Sequence, residues 1–426
     1  MNMIKTTVLV SSLLSAFSYA DATSFREALT QGKTSGAIRN TLELSSSTDA
    51  RAEGGAFQNS KSGMSALELK YVTQQYNGLS FGAVFQAGWD WGIQDESTGL
   101  TIQGGEDDHR ITISSANLQN LYVDYSFAAQ GTNTSIRYGR QDIISPLIMR
   151  SGLQPMKDAW QGVVVTNTDI DKTVIKAMYI TDWIMRYQDD ASASITQNDK
   201  HYDDPILSLY VNTKAVDGLN IEAQWLDYQQ EGAVGDAPSN VGVAGPFTTT
   251  FLAADYDIPG TSFSVGAKYN GADFDNSEDS SMWGVHGSTL VGPVKVTLSY
   301  VSVDDKANMP GTLGHVPLFR SYNNTITDTE FWAGVDSTSV NLGYDFGVKG
   351  LAANLNITSM SQSDEGIANG GVNFDGAYEV SIDAKYKVAS VDGLSLRLML
   401  AQASYDSGTY ADNDMTYSRI FVDYAF

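Results

Sequence analysis

The sequence predicts an all-β fold, a transmembrane antiparallel β-barrel of eighteen strands with short periplasmic turns and long extracellular loops. Three observations carry this. Segments of about ten residues, the length that crosses a bilayer at a tilt, alternate apolar and polar side chains along the chain. The links between them are short and long in turn. The stretch Tyr417–Phe426, YSRIFVDYAF, sets Ile420, Val422, Tyr424 and Phe426 on one face and Arg419, Phe421 and Asp423 on the other. Read alone, those residues also suit an edge strand of a soluble sandwich, so the rest of the chain decides.

The N-terminus reads as a secretory leader. Lys5 is followed by a mostly apolar run, Thr7–Phe17, and by the small-x-small site Ser18-Tyr19-Ala20 before Asp21. Residues 1–20 are therefore expected to be a signal peptide and 21–426 a single barrel domain. Beyond the leader no run of 18 apolar residues occurs, so no spanning helix is expected. The chain has no cysteine, which rules out a disulfide framework and thiol chemistry. Its formal net charge of -24 argues against nucleic acid as a partner. A mean hydropathy of -0.20 suits strands apolar on one face only.

In chain order, strands are expected near Gly36–Leu44, Ser65–Thr73, Gly78–Trp89, Leu118–Phe127, Asn133–Asp142 and Trp160–Thr168. The series continues near Thr173–Asp182, Ile206–Thr213, Leu219–Tyr228, Thr249–Asp257, Ser262–Gly271 and Met282–Leu290. It finishes near Pro293–Val303, Ser337–Phe346, Leu351–Ser361, Phe374–Val388, Leu394–Tyr405 and Thr416–Phe426. Alternation is cleanest late in the chain. Leu394, Leu396, Leu398 and Leu400 interleave with Ser395, Arg397 and Met399, as Val380, Ile382, Ala384 and Tyr386 do with Ser381, Asp383, Lys385 and Lys387. The apolar sets are expected to face lipid and the polar sets a water-filled lumen. The Thr173 strand has no clear orientation, because Lys176 shares a face with Val174, Met178 and Ile180. Links after even strands are short, as in Gln74–Asn77 and Val291–Gly292; those after odd strands are long, as in Asp90–Asn117 and Asp304–Asp336. No proline is expected inside a strand. All seven Trp fall near the long-loop ends, as an interfacial girdle would.

Catalysis finds little support. His109, His201, His286 and His315 are isolated, all but His286 in expected loops, and no hydrolase, metalloprotease or phosphate-loop pattern occurs. Asp273, Asp275, Ser277 and Asp279 alternate like calcium-loop ligands, but Glu278 stands where the central Gly belongs, and a solvated acidic loop is the better reading. No cofactor and no metal are expected. Loop 143–159 is the most informative. Its apolar run Leu147–Met149 suits a loop folded into the barrel, packing Ile148 or Met149 on the wall beside Pro146 and turning Arg150 and Lys157 to the passage. A loop lying over the rim is the alternative.

The leader, the segments SFREALTQGKTSGAIRNTLEL and LELKYVTQQYNGLSFGAVFQAG, and above all GRQDIISPLIMRSGLQPMKDAWQG (Gly139–Gly162) resemble the OprD family of outer-membrane porins. The resemblance implies an eighteen-stranded barrel with a constricted pore, through which small solutes, often carboxylates or amino acids, diffuse. Family members usually carry an Arg three residues before the second proline of this loop; Gly152 stands there, with Arg150 two positions earlier. The resemblance also implies a ladder of basic residues. Side-chain parity sets Arg39, Lys385, Lys387, Arg397 and Arg419 on the polar faces of strands that closure makes neighbours, with Arg137 near the constriction. Glu43, Glu379, Asp383 and Asp423 share those faces, so the bases can guide a solute or pair with acids.

The expectation is therefore an outer-membrane porin of a Gram-negative bacterium that passes small hydrophilic solutes and catalyses nothing. Its expected partners are outer-membrane lipid and lipopolysaccharide, and the barrel insertion machinery through the C-terminal strand. A homotrimer and a monomer are both open. The competing expectation is a non-conducting barrel, a structural protein, adhesin or receptor. A lumen lined by large apolar residues favours it, and the inward positions read mainly as Ser, Asn, Gly, Thr and charges.

Overall fold

The computed structural model describes residues 21–47, 60–93, 115–150, 155–184, 200–230, 245–314, 331–370, 376–405 and 414–426. Residues 1–20, which the sequence suggests are a leader, lie outside the described residues, as do Glu106–Asp108, His109, Gly152 and His315. Eighteen strands form one sheet: β1 (Lys33–Ser47), β2 (Ser60–Val72), β3 (Leu79–Asp90), β4 (Ser115–Ser126), β5 (Thr134–Gln141) and β6 (Ala159–Asn167). Then follow β7 (Thr173–Ile184), β8 (Lys200–Thr213), β9 (Leu219–Tyr228), β10 (Phe247–Asp257), β11 (Ser264–Phe274) and β12 (Ser280–Val291). The last six are β13 (Val294–Val303), β14 (Val335–Tyr344), β15 (Leu351–Gln362), β16 (Gly376–Lys387), β17 (Leu394–Tyr405) and β18 (Met415–Ala425).

Every strand pairs antiparallel with its chain neighbours, and β1 pairs with β18 from Ala37↔Ala425 to Ser47↔Met415. The sheet is therefore closed, which leaves no open edge to recruit another strand. Phe426 finishes the seam. Its N–H and C=O both bond Gly36, at 3.0 and 2.8 Å, and its ring lies where a Cβ on Gly36 would be. The short links follow from turn chemistry. Asn77 and Gly78 both take positive φ (49° and 83°), so a two-residue hairpin turn joins Tyr76 to Leu79.

The outer face carries an apolar belt. Ile38, Leu69, Phe85, Leu209, Leu252, Val285, Leu298, Ile382, Leu396 and Ile420 all stand exposed on it. A short helix, α1 (Phe25–Thr30), caps the turn end and is tied there by Ala22 N–H to Gln75 O at 2.8 Å.

Four sequence expectations need correction, and the orientation of β7, left open by the sequence, is set by the structure. Pro205 lies inside β8, where the β7 register jumps from Ile180 to Asp182 and a bulge tolerates a residue without an N–H. His201 also belongs to β8 rather than to a loop. The β7 face holding Lys176, Met178 and Ile180 points inward, with Met178 and Ile180 buried. Trp160 and Trp183 stack inside the barrel with centroids 6.0 Å apart, so they form no part of an outer girdle; Trp89, Trp225 and Trp283 are exposed.

The lumen lining is also more apolar than the sequence suggests. The inner faces of β6 to β14 carry a continuous apolar cluster that includes Trp160, Ile180, Ile206, Leu226, Tyr228, Phe247, Phe251, Met282 and Val303. It lies toward the long-loop end and serves as the seat for two inserted loops. Period-2 reading could not find it, because those strands are apolar on both faces.

Candidate functional site: the loop across the lumen

The loop between β5 and β6 crosses the barrel and is pinned at both ends of its course. Residues 143–150 form a small hairpin. Ile144 and Met149 bridge antiparallel, Arg150 N–H donates to Ile143 O at 2.9 Å, and Ser145 N–H donates to Ile148 O at 2.8 Å. Pro146 and Leu147 sit at its tip. The tip reaches β9, where Leu147 N–H donates to Gln224 Oε1 at 2.8 Å, and Gln224 is held in turn by Ser208. One hairpin edge zips onto the β13–β14 loop. Met149 N–H donates to Leu313 O, Leu313 N–H donates to Leu147 O, both at 2.9 Å, and Thr312 Oγ1 donates to Pro146 O at 2.8 Å. Leu147 and Ile148 are 0 % exposed, inside the apolar cluster, so burial and hydrogen bonds act together.

The returning segment, 155–158, is clamped to the opposite wall by Gln86 of β3. Lys157 N–H donates to Gln86 Oε1 at 3.0 Å, and Gln86 Nε2 donates to Lys157 O at 2.9 Å. Gln86 Nε2 also reaches Gln119 Oε1 at 2.9 Å, and Gln119 Nε2 reaches Ile184 O at 3.3 Å. A bulge makes this possible. The β3–β4 register runs Val84↔Asn120 and then Phe85↔Leu118, so Gln119 is the extra residue. Gln119 and Asn120 consequently both point inward, and Asn120 Nδ2 donates to Asp142 Oδ1 at 3.0 Å. Alternation alone would have sent one of the two outward, which is why sequence reading misses this clamp.

Charge gathers where the loop meets β1 and β2. Arg39 pairs with Glu68 at 3.0 Å and also donates to Pro155 O at 3.4 Å. Arg150 pairs with Asp142 at 3.0 Å. Lys157 is only 9 % exposed, and among the described residues none forms an ion pair with it. Burial, with the Arg150 and Arg39 charges, lowers its ammonium to about 7. Of the predicted constriction residues, then, Pro146, Ile148 and Met149 are buried in the zip, Arg150 lies against Asp142, and Lys157 is held within the clamp.

The predicted ladder residues do face inward, each arginine beside an acid. Arg397 makes a bidentate pair with Asp383 at 2.8 and 2.9 Å, and Lys385 shares that carboxylate at 3.0 Å. Arg137 pairs bidentately with Asp124 at 2.7 and 2.8 Å while lying over the Tyr122 ring. Lys387 and Lys385 are exposed near the turn end. Arg419 differs. It is 3 % exposed, 3.3 Å from Glu43, with Phe421 under its guanidinium and Tyr417 donating to the same carboxylate at 2.8 Å. Removing one partner of a buried pair strands the other charge. Arg419→Met is therefore expected to cost about 3 kcal/mol of stability. Urea unfolding of the refolded barrel measures this; an unchanged midpoint would contradict the placement.

A second charged group lies on the opposite wall, where sequence reading singles out no site. Tyr210 donates to Glu222 at 2.5 Å, Lys176 sits over the Tyr210 ring at 5.7 Å, and His286 approaches Asp255 at 3.7 Å. Among the described residues no three metal-ligating side chains converge. Asp279, the last of the alternating oxygens, accepts the Phe274 N–H at 3.1 Å instead.

The fold is thus a closed eighteen-stranded antiparallel barrel with a loop held inside it. No protein-family model matches the sequence, and no curated protein does. Solved structures match closely in fold. Pseudomonas aeruginosa OpdO superposes with a TM-score of 0.70 at 16% identity, over 94% of this chain and 98% of that one. Acinetobacter baumannii OccAB2 gives 0.70 and 16%, over 94% and 99%. Pseudomonas aeruginosa OccD3 (OpdP) gives 0.66 and 15%, over 93% and 91%. At such identities the likeness establishes the fold, shared end to end.

Proposed function

We propose that the protein is an outer-membrane porin, through which small hydrophilic solutes diffuse passively into the periplasm. The observation that carries this is the loop pinned across a closed barrel. A loop anchored on β9 by Gln224 and on β3 by Gln86 narrows the lumen at a fixed level without depending on its own flexibility. The apolar belt faces lipid in this reading, the short turns face the periplasm, and the long loops face outward. Carboxylates and amino acids are the solute classes to test first, because Arg39, Arg150 and Lys157 border the narrowing and Arg397, Lys385 and Lys387 continue below it.

Paired bases still act on a passing anion, but each pair's net charge is small. Arg397→Ala leaves Asp383 with Lys385 alone, so the anion-to-cation permeability ratio is expected to fall roughly threefold, as loss of one partly screened charge should produce. Reversal potentials in a salt gradient read this, and an unchanged ratio would remove Arg397 from the solute path. A second reading, a non-conducting barrel, is favoured by the apolar cluster on the loop-end inner face. Swelling of proteoliposomes in isotonic sugars, amino acids and organic acids separates the two. Swelling supports the porin, and none in any solute supports the sealed barrel.

A further inference from the structure

The ammonium of Lys157 is the least explained charge among the described residues. It is nine-tenths buried, and no acid among those residues closes on it, although Glu68 and Asp142 stand in the same cluster. Both acids are already engaged, Glu68 by Arg39 and Asp142 by Arg150 and Asn120. The backbone that carries it is held in place. Its backbone N–H and C=O are both fixed by Gln86, and Gln86 is fixed by Gln119. A buried, unpaired ammonium is costly, and two relieving states are open to it: loss of the proton, or arrival of an anion.

We propose that Lys157 makes the constriction a proton-coupled anion site. The site is weakly attractive when Lys157 is neutral and becomes a three-cation cluster with Arg39 and Arg150 when Lys157 takes up a proton from solvent. This rests on the porin reading and adds a regulation to it. The groups facing Lys157 are Arg39 from β1, Glu68 from β2, Asp142 and Arg150 from its own loop, and Asp423 from β18, which feels the charges of both Arg39 and Lys157. A guanidinium is not deprotonated in proteins. The titration near neutral pH therefore falls to Lys157, whose ammonium is lowered to about 7. The sign follows. Below that value the cluster gains a positive charge and anions are favoured, and above it they are not. A bound carboxylate favours the charged lysine, so by reciprocity a carboxylate must shift the transition to higher pH.

The test is reversal-potential recording in planar bilayers between pH 5 and 9. Wild-type protein is expected to show its anion-to-cation permeability ratio rising roughly five- to tenfold as pH falls through neutrality, the scale of one unit charge acting over a few ångströms. Adding acetate should move the midpoint upward. Lys157→Met should be flat at the low ratio and Lys157→Arg flat at the high one, so the two variants bracket the wild type. His286→Gln, on the opposite wall, should keep the step. A step that survives in Lys157→Met, or a conducting wild type without one, overturns the proposal. A wild type with no conductance refutes the porin reading itself.

Discussion

Replacing Gly162 with valine is expected to prevent the barrel from folding. Gly162 and Gly139 face each other across β5 and β6, the two strands that launch and receive the inserted loop. A Cβ on Gly162 would lie 2.1 Å from Tyr179 O and 2.9 Å from Ile180 Cα, and one on Gly139 would lie 2.3 Å from Leu121 O. Those neighbours are backbone, so no rotamer change relieves the clash. Gly139 also has φ +122°, a conformation L side chains rarely adopt. The crowding has an identifiable origin. The β6–β7 register runs Gln161↔Asp182 and then Gly162↔Ile180, so Thr181 is a bulged residue that brings the β7 backbone toward Gly162. Displacing two ladders at once should cost at least about 4 kcal/mol. The heat-modifiable gel shift of a folded barrel should vanish in Gly162→Val; a normal folded band would show that the strands can part there.

Replacing Gln86 with leucine is expected to release the loop and widen the passage. Leucine is close to glutamine in size but offers neither donor nor acceptor. It would leave the Lys157 N–H, the Lys157 C=O and the Gln119 side chain without the partners they now share. Each buried polar group so stranded costs about 1–3 kcal/mol, which works against the Met156 packing on Met64 and Ala66 and the contact from Arg39 to Pro155 O. The hairpin half should stay, because the zip to Leu313 and the Gln224 bond do not involve Gln86. Single-channel conductance is therefore expected to rise about twofold or more, as a narrow pore's conductance follows its constriction. An unchanged conductance would place the limiting narrowing elsewhere.

These two residues show how far the fold is legible in the sequence. The eighteen strands, their order and the amphipathic closing strand are read directly from period-2 alternation, since a closed sheet with one apolar and one polar face imposes it. Gly139 and Gly162 also bracket the segment that carries the family resemblance. The structure supplies their reason, which is crowding by a neighbouring bulge. The bulges themselves at Gln119 and Thr181 slip the phase of alternation within a strand, so a reading that assumes one unbroken phase assigns the residues beyond them to the wrong face. Pro205 and the orientation of β7 escape a reading by alternation for the same reason.

The lumen is legible only in part. Parity places Arg39, Arg397 and Lys385 inward, but parity carries no information about partners, so the pairs with Glu68 and Asp383 emerge only from register. Trp160 and Trp183 resemble girdle residues because they sit at strand ends; they are core residues because a loop folds down over them. Lys157 reads in sequence as a residue facing the passage, and its burial depends on a clamp whose other half lies 71 residues away at Gln86.

On the porin reading, the barrel conducts past its inserted loop. Single-channel recording of the purified protein, with insertion verified by the heat-modifiable shift, decides this. Discrete, reproducible conductance steps that acetate reduces are the predicted result. Bilayers that stay sealed while folded protein is present would contradict it, and would make the apolar loop-end packing the plug of a closed barrel.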